Sequence, residues 1–249
     1  MTGHSGKPLP PMQTFWIGPV STMERLSIAS FAAHGHEVHV YAYGDLSGLP
    51  PQAVLKDAAE IVRPPFGRRS AVYRDSRGSY SSFANLFRYK LLLDRGGWWI
   101  DLDMVCLEPF EFEAEYIFPL EPDQTVANAV FRVPVGSDVM AYSYGRCIEL
   151  GRRRKRWGQT GPALLAEAVE ACGLTEHVVD HSIFMPVDWT EWESFLDPDR
   201  AWSFELQTRA LHLWNALWAK DGYDKDVEYA PSCLYERLKD RYLSTPSAV

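Results

Sequence analysis

The hydrophobic and polar positions of the N-terminal half alternate between the period of a strand and the period of a helix. An apolar run at 13–18 ends at a glycine, and residues 37–43 place apolar side chains at every second position, as a β-strand does. Between them Ser21 and Glu24 form an S-x-x-E capping box, which predicts a helix that Gly35 ends. Such alternation is typical of an α/β layer architecture.

The pattern continues along the chain with less regularity. Residues 52–59 predict a short helix, and residues 64–80, rich in proline, glycine, arginine and serine, predict a long loop of a kind that often has a function. Helical spacing returns from residue 81 or 82 to about 95 and ends at a double glycine. Strands are then predicted at 127–133, 177–180, 183–187 and 208–212, and helices at 137–151, 161–172 and 232–243. No internal repeat or linker is visible, so we expect a single domain over residues 1–249.

Two aspartates, Asp101 and Asp103, follow an apolar segment that begins with the tryptophan pair Trp98 and Trp99. At i and i+2 of an extended chain, both carboxylates point to the same side. Burying two carboxylates together is costly unless a cation or hydrogen-bond donors satisfy them. Hard oxygen ligands suit Mg²⁺ or Mn²⁺, which commonly bridge to phosphate oxygens. The alternative is a D-x-D sequence on a solvated turn.

Composition narrows the class of function. The 249 residues carry a formal charge of -8, with 46% hydrophobic residues, which excludes a disordered chain. The acidic balance argues against a nucleic-acid partner, because such proteins depend on neutralising phosphates. Aromatic residues reach 13%, which suits either a bulky core or stacking against sugars and bases.

The remaining composition points to a cytoplasmic protein. The four cysteines, Cys106, Cys147, Cys172 and Cys233, show neither C-x-x-C nor metal-like spacing, and we expect reduced thiols. The segment before Phe15 has no apolar core of a signal peptide, and no window resembles a membrane span.

The run RYKLLLDRGGWWIDLD, together with FWIG near the N-terminus and HLWNALW near the C-terminus, resembles the DXD-motif sugar-binding glycosyltransferases of family 32. These are relatives of α1,4-galactosyltransferase, the yeast mannosyltransferases and the clostridial glucosylating toxins. The match extends from Phe15 to Trp218 and is densest from Phe83 to Asp103, where arginine, double glycine, aromatic pair and D-x-D keep their order and spacing.

This resemblance implies a GT-A fold, a Rossmann-like mixed sheet flanked by helices. Residues of about 12–110 would form the nucleotide-sugar-binding half and residues of about 111–243 the acceptor-binding half. It implies a metal-dependent hexosyltransferase that uses Mn²⁺ or Mg²⁺, takes a UDP-sugar donor and retains its anomeric configuration. The acceptor would be a glycan or a lipid-linked molecule.

The resemblance also implies roles at the chemical centre. Asp103 would bind the metal with His212 as a further ligand, and Asp101 would contact the ribose, the sugar or a metal-bound water. The indole N–H of Trp214 would support the leaving phosphate oxygen, and Asn128 would lie near the donor sugar or the acceptor. A structural histidine and an apolar helical face are the alternatives for His212 and Trp214.

The donor-binding residues that the resemblance implies are Trp16, Ile17, Asn85, Arg88, Trp99, Asp101, Gly161, Pro162 and Asn215. Trp16 would stack on the base, Trp99 would lie beside the ribose, and Arg88 would hold sugar hydroxyls. The family often has S-D-x-x-R where this chain has Asn85 three residues before Arg88, which leaves the sugar open. Core packing is the alternative for the tryptophans, and a structural turn for the Gly161–Pro162 pair.

Several alternatives stay open from the sequence. The basic run at 152–156 is either a solvated helix end or a contact with anionic lipid or a polyanionic acceptor. Asp180, after the strand-like VVD, is a candidate for a hidden general base. An inactive carbohydrate-binding protein or a nucleotide-sugar hydrolase would share much of the same sequence pattern.

Overall fold

A computed structural model describes residues 8–66, 68–75, 78–150 and 159–244 of the chain. The strands are β1 (Met12–Phe15), β2 (Val38–Ala42), β3 (Ala53–Asp57), β4 (Gly97–Ile100), β5 (Met104–Cys106), β6 (Phe118–Pro119), β7 (Val130–Val133), β8 (Val178–Val179) and β9 (Ala210–His212). The α-helices are α1 (Thr22–Ala33), α2 (Ser81–Arg95), α3 (Asp138–Leu150), α4 (Pro162–Ala171), α5 (Asn215–Asp221) and α6 (Leu234–Leu243).

A five-stranded sheet of order β3-β2-β1-β4-β7 forms the centre of the fold. Its first four strands are parallel, and β7 runs antiparallel to β4. Two small sheets accompany it, with β5 antiparallel to β9 and β6 parallel to β8. The predicted α/β class with a mixed sheet flanked by helices is confirmed. Because β7 and β9 pair with β4 and β5, strands from both predicted halves of the chain meet around the D-x-D motif.

The two tryptophans of β4 divide the hydrophobic core between the faces of the sheet. Trp98 is fully buried and packs with Phe110 and Phe184 in the core that includes α1 and α6. Trp99 is buried on the opposite face, in the core formed with α2, α3 and α4. Alternation along the strand therefore sends Trp98 away from the site and Trp99 towards it.

The residues that predicted the start of α1 and the end of α2 make the expected local contacts. The backbone N–H and the hydroxyl of Ser21 both donate to the Glu24 carboxylate, at 3.0 and 2.6 Å, so the predicted capping box opens α1. The double glycine after α2 is required by its backbone, since Gly96 and Gly97 have φ of +61° and +88°. A Cβ on Gly96 would lie 2.4 Å from the backbone nitrogen of Val135.

One predicted helix and one predicted strand were wrong. The helix predicted at 52–59 is β3 followed by a 3₁₀ turn, because this segment extends the sheet by parallel pairing with β2. The strand predicted at 183–187 is the end of a 3₁₀ turn and irregular chain. There the N–H of Phe184 bonds back to His181 and the carbonyl of Ile183 accepts from Arg209.

Two further features bear on the environment of the protein. All four cysteines are free thiols, and Cys106, Cys147 and Cys233 are buried. None of the helices in the described ranges combines the length and the apolar composition needed to cross a bilayer.

Candidate functional site

The predicted site residues gather at the carboxyl edge of the central sheet. The parallel register places Gln13 of β1 opposite Trp99 of β4, so Trp16 and Asp101 emerge side by side where these strands end. The N–H of Asp101 donates to the carbonyl of Ala129 at 2.7 Å, which fixes the motif beside the start of β7. This edge is where ligands bind in open α/β sheets.

Asp101 is held by two side chains that the sequence had placed at the donor. Arg88 of α2 donates through Nη2 to Asp101 Oδ1 at 2.6 Å, and the indole N–H of Trp99 donates to the same oxygen at 2.7 Å. The Arg88 guanidinium also lies over the Trp99 ring, 4.6 Å from its centroid. In the described part of the chain Oδ2 of Asp101 accepts no bond, so one carboxylate oxygen remains for a ligand.

Arg88 itself is almost completely buried. Its side chain is 5% exposed, and its Nη1 donates to the backbone carbonyl of Asn128 at 2.5 Å. Both terminal nitrogens therefore bond to the protein. The structure makes Arg88 the charge partner of Asp101, and the buried Nε–H of Arg88 has no partner among the described residues.

A chain of amide and hydroxyl contacts joins Asn128 to the start of α4. Asn128 donates to the Asn85 side chain at 3.1 Å, and Asn85 donates to the Thr160 hydroxyl at 3.4 Å. The Tyr89 hydroxyl donates to the carbonyls of Thr160 and Gly161, at 3.0 and 3.3 Å. The predicted Gly161–Pro162 turn, at the N-terminus of α4, is thereby tied to α2 beside Asn85 and Arg88.

Asp103 faces a different set of partners. Its Oδ2 lies 3.2 Å from His212 Nε2 and accepts the backbone N–H of Asn215 at 3.0 Å. The expectation of extended backbone from Asp101 to Asp103 was wrong, since the segment is a turn in which the Met104 N–H returns to the Asp101 carbonyl. Because Met104 pairs with His212 in the β5–β9 ladder, this turn delivers Asp103 next to the histidine.

Burial and charge shift the three titratable groups in different directions. Burial raises the pKa of Asp101, and the positive charge of Arg88 offsets only part of that rise. Burial also acts to raise the pKa of Asp103, but the charge and hydrogen bond of His212 and the N–H of Asn215 outweigh it and lower the pKa. Burial acts to lower the pKa of His212, whereas Asp103 outweighs it and raises the pKa.

Trp214 supports the site in a way that the sequence did not predict. Its ring lies against the His212 ring with centroids 3.9 Å apart, and its indole N–H donates to the Val187 carbonyl at 3.1 Å. The residue has φ of +56°, the left-handed region that a bulky side chain rarely adopts. Because the indole N–H donates to Val187, a bond to a leaving phosphate would require its release from that carbonyl.

Trp16 and Ile17 line a cleft of about 470 Å³ at the same edge of the sheet. The remaining lining residues are Gly18, Ala42, Tyr43, Asp45, Leu46, Ser70, Val72, Tyr73, Arg74 and Tyr80. The indole N–H of Trp16 donates to the Pro19 carbonyl at 3.0 Å, and the Lys225 ammonium lies over the half-buried ring, 5.8 Å from its centroid. Five residues of the loop predicted at 64–80 thus form part of the wall of this cleft.

The donor atoms at Asp103 and His212 fit a divalent metal. Two neighbouring ligands of an octahedral Mg²⁺ at about 2.1 Å are roughly 3 Å apart, and Asp103 Oδ2 and His212 Nε2 are 3.2 Å apart. Within the described ranges no group of three His, Cys, Asp or Glu side chains is arranged around one position. An ion here would therefore depend on phosphate and water for its other ligands, as Mg²⁺ usually does.

The sequence did not predict that Glu121 lies near the site or that Asp180 caps a 3₁₀ turn. Burial raises the pKa of Glu121, which lies close enough to His212 for the two charges to interact. Asp180 instead caps a 3₁₀ turn by accepting the Ser182 N–H at 2.9 Å, and this hydrogen bonding lowers its pKa. No motif surrounds Glu121, so only the fold brings it to the site. The basic run at 152–156 lies outside the described residues.

A comparison with known protein families finds a match in the C-terminal part of the chain. Residues 153–243 match the family described as the alpha 1,4-glycosyltransferase conserved region. This range contains His212, Trp214 and Asn215, and the D-x-D motif lies before it. The match supports the resemblance to the family 32 enzymes. The C-terminal part of the chain therefore carries a glycosyltransferase region.

Solved structures with a similar arrangement include two glycosyltransferases. The PaToxG glycosyltransferase is 15% identical with a TM-score of 0.49, and the similarity covers 66% of this chain and 70% of that one. The WbbM bifunctional glycosyltransferase is 12% identical with a TM-score of 0.47, covering 98% of this chain and 51% of that one. No match was found among curated proteins.

Proposed function

We propose that the protein is a metal-dependent, retaining glycosyltransferase that moves a hexose from a UDP-sugar to a glycan or lipid-linked acceptor. The observation that carries this proposal is the approach of Asp103 Oδ2 to His212 Nε2, at 3.2 Å, beside the open oxygen of Asp101. An unpaired carboxylate oxygen, a metal-ligand pair and an aromatic cleft along one sheet edge are what a nucleotide-sugar donor requires.

The cleft provides the place for the nucleotide. Its volume of about 470 Å³ lies within the range of small-molecule sites, about 300–1,000 Å³. Trp16 and Tyr43 supply aromatic surface for a base at one end, and the exit of β4 leads to Asp101. A donor lying along this edge would point its diphosphate towards Asp103 and His212.

Each side chain at the diphosphate end has a distinct task in the proposal. Asp103 and His212 would hold Mn²⁺ or Mg²⁺, and that metal supplies charge stabilisation for the departing diphosphate. Arg88 and Trp99 fix the Asp101 carboxylate by bonds to one oxygen, so the other is oriented for the ribose or sugar hydroxyls. The network through Asn128 would line the sugar or acceptor side.

Retention of configuration is supported by the state of Asp180, the candidate for a general base that the sequence offered. Asp180 is a capping carboxylate with a lowered pKa, which suits a structural group better than a proton acceptor near neutral pH. Attack by the acceptor from the face of the departing diphosphate needs no such side-chain base in this proposal.

A turnover screen tests the proposal. With Mn²⁺ and a panel of nucleotide sugars plus glycan acceptors, we expect release of nucleoside diphosphate with a UDP-sugar, abolished by chelation. Proton NMR of the first product from an α-linked donor should show an α-anomeric signal. A β-anomeric product would contradict retention, and sugar released at the same rate with and without acceptor would identify a hydrolase.

A further inference from the structure

One exposed phenylalanine stands among three arginines in the segment that leads from β3 towards α2. Phe66 is fully exposed, and Arg63, Arg68 and Arg69 are exposed around it. The backbone turns here, since the N–H of Arg68 donates to the Pro65 carbonyl at 3.0 Å. We call Arg63, Pro65, Phe66, Arg68 and Arg69 the Phe66 loop.

The charge of this loop is both concentrated and unpaired. Residues 61–73 contain no Asp or Glu, although the whole chain has a formal charge of -8. Among the described residues, no carboxylate lies within ion-pair distance of Arg63, Arg68 or Arg69. The arginines therefore present an uncompensated positive surface around an apolar tip.

Both ends of the loop continue into residues close to the cleft that Trp16 lines. The Tyr43 hydroxyl donates to the carbonyl of Val62 at 2.5 Å, immediately before Arg63. On the other side the Ser70 hydroxyl accepts the Val72 N–H at 3.0 Å. Tyr43 and Ser70 both line the cleft, so the loop lies next to the wall of the cleft.

We propose that the Phe66 loop docks on an anionic lipid bilayer, with Phe66 inserted between headgroups and the arginines on the lipid phosphates. This inference rests on the proposed function, because it would bring the mouth of the donor cleft to a membrane-borne acceptor. Positive side chains near an anionic surface are attracted over a Debye length, and an aromatic ring gains by leaving water at the interface.

The apolar tip decides between a bilayer and other polyanions. A duplex nucleic acid or an acidic protein would be bound mainly through the arginines. A single strand could also stack a base on Phe66, but the formal charge of -8 argues against a nucleic-acid partner. A bilayer uses both groups together, because its surface is anionic and its interior accepts the ring. Dependence on Phe66 is therefore the property that identifies the partner.

Cosedimentation of the whole protein with vesicles tests the inference. We expect binding to vesicles of phosphatidylcholine mixed with phosphatidylglycerol, weaker binding to phosphatidylcholine alone, and loss of binding at high salt. Phe66→Ser should lower the partition coefficient about tenfold through lost apolar burial. Arg69→Glu should lower it more than about fivefold, because it removes one attraction and adds a repulsion.

Matched variants elsewhere on the surface control for general effects. Leu206→Ser removes an apolar side chain that is 99% exposed, and Lys220→Glu makes a comparable charge change on α5. Both should bind vesicles as the wild type does. Sugar transfer to a water-soluble acceptor without vesicles should be unchanged in Phe66→Ser and Arg69→Glu, which separates membrane docking from the chemistry.

Three results would overturn the inference. The first is absence of wild-type binding to the anionic vesicles. The second is binding by Phe66→Ser that equals the wild type, which would show charge attraction alone, including that of the run at 152–156. The third is loss of transfer to the soluble acceptor in Phe66→Ser. Vesicle binding that depends on Phe66, in a protein that turns over no donor, would support docking and count against the proposed function.

Discussion

Asp103→Asn is expected to abolish sugar transfer while the fold stays intact. The asparagine side-chain oxygen can still accept the N–H of Asn215, so the start of α5 keeps its cap. The lost negative charge, however, removes the proposed metal ligand beside His212. Metal stabilisation of a leaving diphosphate contributes several kcal/mol, so turnover should fall on the order of 10³-fold.

The same chemical change at a distant capping aspartate provides the control. Asp197 accepts the N–H of Asp199 at 2.9 Å on an exposed turn, and Asp197→Asn should leave turnover near normal. Turnover and circular dichroism of both variants are measured at one metal concentration. Near-normal turnover of Asp103→Asn would show that Asp103 is not a metal ligand.

Arg88→Ala should give the largest loss of stability among the site variants, about 3 kcal/mol of unfolding free energy. Removing one member of a buried ion pair costs about 3–5 kcal/mol, and the partial exposure of Asp101, at 32%, favours the lower end. The variant also deprives the Asn128 carbonyl of a donor and the Trp99 ring of its guanidinium. Urea unfolding followed by tryptophan fluorescence measures the change.

Two further variants test whether the loss of stability comes from the burial of the ion pair or from the charge alone. Arg95→Ala, at the other end of α2, breaks an exposed pair with Glu60 at 3.6 Å and should cost less than about 1 kcal/mol. Arg88→Lys keeps the charge but lacks the two separate terminal nitrogens that bond to Asp101 and Asn128, so its loss of stability should be intermediate. An Arg88→Ala protein as stable as Arg95→Ala would refute the buried-pair account.

The sequence predicted the parts of this fold that depend on neighbouring residues. The Ser21–Glu24 capping box and the positive φ values of Gly96 and Gly97 are local requirements, and both are visible as residue types. The D-x-D motif was also visible, but its turn geometry was not, since only the pairing of β5 with β9 brings Asp103 to His212.

The parts that the sequence could not predict depend on distant partners. The segment predicted as a helix at 52–59 is QAVLKDAA, and parallel pairing with β2 makes most of it a strand. The indole N–H of Trp214 bonds to a carbonyl at Val187, 27 residues away, which no motif records. Glu121 reaches the surroundings of His212 only through the folded chain.

The central claim is that a nucleotide diphosphate and a divalent metal bind together at Asp103 and His212. Thermal unfolding with UDP and Mn²⁺, added singly and together, tests it most directly. A ligand at 100 times its dissociation constant adds about 2.7 kcal/mol, so the two together should raise the melting temperature well beyond either alone. The rise should disappear in Asp103→Asn. A melting temperature that no nucleotide moves in the presence of saturating Mn²⁺ would contradict the account.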